Sequence, residues 1–138
     1  MKSTIPTIVN SGYLRTEFIQ SFGTAARGAY RVNTENGWWA DRDMMMASGM
    51  PNAVQIVTLS CLGLVTSEVS EAMEAVRKHN FATWGNHTAK DTMVRELAGT
   101  IVRCMDLAER FDMPLAEAIV EEIKANAERG FRHGGKSA

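Results

Sequence analysis

At 138 residues the chain is long enough for one domain with a real core. Its 45% hydrophobic and 22% charged residues give an ordinary globular composition. A formal net charge of -1 argues against bulk attraction to polymeric nucleic acid or to a membrane surface. The two cysteines, Cys61 and Cys104, are too few for a disulfide framework and fall in apolar stretches, so they read as buried reduced thiols. The first ten residues lack the apolar run of a signal peptide. The apolar run over residues 54–65 is too short, and with Gln55, Thr58 and Ser60 too polar, to span a bilayer. The chain is read as cytoplasmic.

Taken in order, the first predicted element is a helix over about residues 11–34, where Tyr13, Leu14, Ile19, Phe22, Ala26, Ala29 and Tyr30 recur at helical spacing. Asn36-Gly37 stops it, because these residues suit the left-handed cap. Residues 38–51 read as a loop, or a loop with a short helix, holding Trp38, Trp39 and a cluster of Met44, Met45, Met46 and Met50. Pro51-Asn52 opens a second long helix that reaches about Lys78. Residues 79–90 form a polar connection with Gly85 and Asn86. A third long helix covers about residues 91–111, and Asp112-Met113-Pro114 breaks it. Pro114 suits the first position of a last helix, which ends near Arg129-Gly130. The expected fold is all-α: a four-helix bundle in a single domain, with flexible ends at about 1–10 and 134–138. The helix over 52–78 is apolar around too much of its circumference for one small monomer, which predicts packing against a second subunit.

The chemistry-bearing pattern is acidic. Glu68 and Glu71 lie about 60° apart around their helix, and Glu74 continues the arc. On the next helix Glu96, Gly99, Arg103 and Asp106 fall within an arc of about 80°. Side by side, the two stripes crowd carboxylates that cannot all stay ionised without a counter-charge. A divalent cation is one source, and oxygen ligands favour magnesium, manganese or calcium over zinc. The competing reading is a solvated face in which Glu68, Glu71 and Glu74 pair with Arg77 and Lys78. A di-iron carboxylate bundle is unsupported, since none of the three histidines, His79, His87 and His133, follows a glutamate in Glu-x-x-His spacing.

Four segments together resemble the all-α nucleoside triphosphate pyrophosphohydrolases of the MazG-like superfamily. Residues 27–39, ending in Asn33-Thr34-Glu35-Asn36-Gly37-Trp38-Trp39, resemble that family's first helix and its Asn-x-x-x-Gly-Trp/Phe ending. Residues 64–75 resemble its Glu-x-x-Glu helix, and residues 95–108 resemble its second metal helix. Asn126 to Lys136 resembles its C-terminal signature. The resemblance implies hydrolysis of a nucleoside triphosphate to monophosphate and pyrophosphate, with Mg2+, or Mn2+ in its place, held by Glu68, Glu71 and Glu96. Asp106 is the candidate to reach the metal through water. Glu71 or Glu74 would orient or deprotonate the attacking water. Trp38 or Trp39 would stack on the base, and Asn126, Arg129, Arg132, His133 and Lys136 would bind sugar and phosphates. The tail over residues 130–138 would close over the triphosphate. A homodimer or homotetramer is expected. The sequence departs from the family pattern at Gly99, where relatives carry a fourth acidic ligand, and at Glu122, where many carry a lysine. A non-catalytic nucleotide- or metal-binding homologue, and a purely structural helical dimer, remain as alternatives.

Overall fold

A computed structural model describes residues 7–78 and 87–129 of the chain, without the side chains of 87–89. The described residues form helices and contain no strand: α1 (Gly12–Glu35), α2 (Ala40–Ala47), α3 (Ala53–Lys78), α4 (His87–Arg110) and α5 (Leu115–Glu128). The all-α expectation holds, with five helices in place of four. The fifth is α2, the short helix allowed for within residues 38–51. Asp41 and Asp43 in its first turn suit the positive end of the helix dipole.

The boundaries follow from local chemistry. Gly37 ends the first helical segment at φ 81° and Asn52 precedes α3 at φ 62°. Asp112 takes φ 51° just beyond α4, a left-handed position that the short Asx side chain tolerates. Pro114 stands one residue before α5, and its carbonyl accepts the Ala118 N–H at 3.0 Å. The α4 helix begins at His87, four residues before the sequence-based start. The stretch 87–90 contains neither Gly nor Pro, and polarity alone does not end a helix.

The described residues divide into two compact units: residues 7–25 with 112–129, and residues 26–78 with 87–111. In the first, Arg15 on α1 donates to Glu121 on α5 at 2.6 Å, and Phe18 packs on Phe22. Ala116 and Val120 are buried there. In the second, α3 packs chiefly on α4 and also meets α2. Its core joins Trp39, Val57, Cys61 and Leu107, with Tyr30, Met45, Met46 and Phe111 packed against them. The tryptophan ring lies edge-on to Phe111, with ring centres 6.4 Å apart.

The α3 helix is less buried than its apolar sequence suggests. Only Ala53, Val57, Cys61, Ala72 and Ala75 along it are buried. The first three are four residues apart, the last two three apart, and Cys61 and Ala72 are separated by about three whole turns, so all five form one seam. Leu59 and Met73 are 67% and 69% exposed, and Val54, Ile56, Leu62, Val69 and Val76 are exposed with them. With 26 residues, α3 is also long and apolar enough by length and composition to cross a membrane. The shorter span considered from sequence, 54–65, was only its apolar half.

Candidate functional site

Glu68 lies on the buried seam of α3, four residues from Ala72 and seven from Cys61, so it is turned toward α4 rather than outward. Its side chain is 16% exposed and that of Arg103 on α4 is 30% exposed. The two meet: Arg103 Nε donates to Glu68 Oε1 at 2.6 Å. The approach depends on Gly99. A Cβ built there would stand 2.9 Å from Glu68 Cδ and would overlap Glu68 Oε2. The missing side chain is the space the carboxylate uses. Where the resembled family has an acid, this chain has a notch filled by Glu68 reaching across from α3.

A pocket of about 200 Å³ opens at this point, lined by Asn33 and Trp38, by Arg42 of α2, by Cys61, Leu64 and Glu68 of α3, and by Gly99, Val102, Arg103, Asp106 and Leu107 of α4. Of the two stripes inferred from spacing, Glu68 meets Gly99, Arg103 and Asp106 across this pocket, and the cation among them is Arg103. Its guanidinium also lies over the Trp38 ring, 5.9 Å from the ring centre. Arg42 donates to the Trp38 carbonyl and holds its own guanidinium over Trp39.

Electrostatics separate the two central acids. The hydrogen bond from Arg103, aided by that guanidinium's charge, holds Glu68 below the usual carboxylate range against the opposing effect of burial. Glu96 is pushed up, first by burial, then by a hydrogen bond to Glu68 and the charges of Glu71 and Glu68, with Arg95 opposing. Glu71 is exposed and accepts a long bond, 3.4 Å, from the Ser67 hydroxyl. Glu74 instead behaves as a solvated face predicts: Arg77 and Lys78 bind it at 2.6 and 3.2 Å and bring its pKa down to about 2.

Three acidic side chains whose fields overlap, against one facing guanidinium, suit an oxygen-seeking divalent cation in donor type and charge. As the side chains stand, no group of three or more acidic, histidine or cysteine side chains among the described residues converges to hold an ion. Arg103 engages one of the oxygens such an ion would need.

The other expected residues separate clearly. Asp106 lines the pocket, and its Oδ1 accepts the Trp39 indole N–H at 3.0 Å. Trp39 is 1% exposed, so its ring has no face left for a base; of the two tryptophans expected as alternatives, Trp38, 50% exposed, keeps an open face. Asn126 and Arg129 belong to the first unit, at the end of α5, where Arg129 Nη1 donates to Asn126 Oδ1 at 3.0 Å and lies 3.7 Å from Glu122 Oε1. Arg132, His133 and Lys136, with the tail expected to close over the triphosphate, fall outside the described residues. Two pocket residues, Arg42 and Asn33, and the pairing role of Arg103 are additions. Arg103 was visible in the stripe as a cation among acids, whereas Arg42 lies in a helix short enough to pass for loop.

No protein-family model, curated protein or solved structure matches the chain. Its class rests on its own architecture: an all-α protein with a carboxylate and guanidinium pocket between α3 and α4.

Proposed function

We propose that the chain is a magnesium-dependent nucleoside triphosphate pyrophosphohydrolase of the MazG-like kind, converting an NTP or dNTP to the monophosphate and pyrophosphate. The observation that carries the reading is the Glu68 carboxylate reaching across to Gly99 and Arg103, in a pocket whose wall also holds Trp38, Arg42 and Asp106. Glu68, Glu71 and Glu96 would hold Mg2+, or Mn2+ in its place. When bound, such an ion neutralises phosphate charge and acidifies water. Glu71, exposed and lightly held, is free to orient or accept a proton from the attacking water. Trp38 offers a half-exposed ring face to a base. Asp106, whose Oδ1 accepts the Trp39 indole N–H, lies on the pocket wall and would order water there. Packing of the exposed α3 face against another copy gives a homodimer or homotetramer.

The test is pyrophosphate release over a panel of NTPs and dNTPs with Mg2+. Glu68→Ala and Glu96→Ala should each abolish release while the helical circular dichroism persists. Turnover at the parent rate by either variant would refute the assignment. Gly99 favours a second reading, a homologue that binds nucleotide or metal without turnover, because an acidic ligand is replaced by space. Nucleotide binding with no pyrophosphate released would select it.

A further inference from the structure

The bond between Arg103 and Glu68 raises a question of charge. Among the described residues of the pocket, Glu68 is the acid most firmly held, and a basic side chain holds it. A guanidinium carries five N–H donors, and Arg103 gives Glu68 only its Nε–H. The remaining edge borders the pocket, and the Trp38 ring keeps the guanidinium plane in place by a cation–π contact. Arg103 is thus tethered at one edge and open at the other. Arg42 lines the same pocket, so a ligand there meets two guanidinium groups.

We infer that Arg103 is a displaceable internal counter-ion: it neutralises Glu68 while no divalent cation is bound, and on cation binding it is released to grip the phosphates of an anionic ligand in the same pocket. The inference rests on the pyrophosphohydrolase reading and adds a residue and an order of events to it. A dication drawn to Glu68 and Glu96 repels the guanidinium and competes for the same carboxylate oxygen. Arg103 loses its anion and needs another. Polyphosphate suits it, because a planar fork binds two phosphate oxygens at once. Metal and polyphosphate should therefore bind with positive coupling, while metal alone works against the Arg103–Glu68 bond.

The experiment is calorimetric titration of the full chain with Mg2+ alone, and then with an α,β-methylene nucleoside triphosphate at saturating Mg2+. Arg103→Gln should bind Mg2+ alone about tenfold more tightly than wild type, since the competing cation is gone. The same variant should bind the nucleotide analogue at least about tenfold more weakly. Opposite signs in the two titrations are the signature, and a residue serving only packing would not give them. Arg103→Lys keeps the charge and loses the fork, so its Mg2+ affinity should stay near wild type while nucleotide affinity falls. It carries the test if the Gln variant does not fold. Mg2+ binding no tighter in Arg103→Gln, or nucleotide binding unchanged in either variant, overturns the inference while leaving the proposed activity standing if wild type still releases pyrophosphate. A wild-type chain that binds neither Mg2+ nor the analogue overturns the proposed function and this inference with it.

Discussion

Replacing Gly99 with alanine sets two effects of similar size against each other. In a helix interior, alanine is favoured over glycine by about 1 kcal/mol. Gly63 in α3 supplies the reference, because a Cβ there meets nothing within 4 Å. Gly63→Ala should gain that amount in full, about 3–5 °C in melting temperature for a chain of this size. At Gly99 the added Cβ would lie 2.9 Å from Glu68 Cδ. The backbone need not move, since the obstructing group is the end of a flexible side chain, but Glu68 must swing away from Arg103. A charge-assisted bond in a buried setting is worth about 1.5–3 kcal/mol; with the pair 16% and 30% exposed, about 1 kcal/mol is the appropriate scale. Gain and loss then nearly cancel, so Gly99→Ala should melt close to wild type and below Gly63→Ala. Thermal melts of the single variants, and of Gly99→Ala in an Arg103→Gln background, measure this. The double background should restore the full alanine gain. If Gly99→Ala is as stabilising as Gly63→Ala, the carboxylate does not depend on the notch and the reasoning fails. Gly99→Asp adds a charge to the same overlap, so it should be destabilised without divalent cation and recover in Mg2+.

Burial, then Glu68 and Glu71, push the pKa of Glu96 up against the opposing charge of Arg95, so its ionised form is disfavoured in the folded chain. Its cost to stability is absent below the ordinary glutamate pKa and fully present above the raised one. Glu96→Gln should therefore melt above wild type at pH 7, with the advantage vanishing as pH falls below about 4; a pH-independent difference would contradict this. Trp39→Phe removes the N–H that Asp106 accepts and should cost about 1–2 kcal/mol in urea unfolding. Asp106→Asn keeps an acceptor oxygen and should cost less, so a loss of pyrophosphate release in that variant with little change in stability would mark Asp106 as part of the site. Leu59→Glu, on the exposed apolar face of α3, should lower the oligomeric state in sedimentation experiments, and a wild-type chain that sediments as a monomer at micromolar concentration would remove the basis for subunit packing.

The parts of this molecule that were legible in sequence are those set by local periodicity. The α3 seam and the α4 stripe follow from residues three and four apart, and the stop at Gly37 from a left-handed φ that glycine takes without strain. What spacing does not carry is pairing across the chain. The Glu68–Arg103 bond joins residues 35 apart and the Trp39–Asp106 bond residues 67 apart; neither partner marks the other locally. Adjacent Trp38 and Trp39 look alike in sequence, yet one ring is half exposed and the other enclosed. The exposed apolar residues of α3 mark a related limit. Apolar composition reports what a helix tolerates on its faces, and one copy of the chain covers only the seam.

The indole bond to Asp106 also bears on how such a pocket changes over generations. Glu71 is exposed and the ionised form of Glu96 is disfavoured, so the fold gains little from either and their loss would go unpunished where no activity depended on them. Asp106 and Trp39 hold each other, and losing either weakens the molecule whatever it does. A lineage drifting away from catalysis would shed Glu96 and Glu71 early and keep the Trp39–Asp106 pair late. Variants of this chain that retain the pair but lack the acids are then expected to fold normally while doing something else.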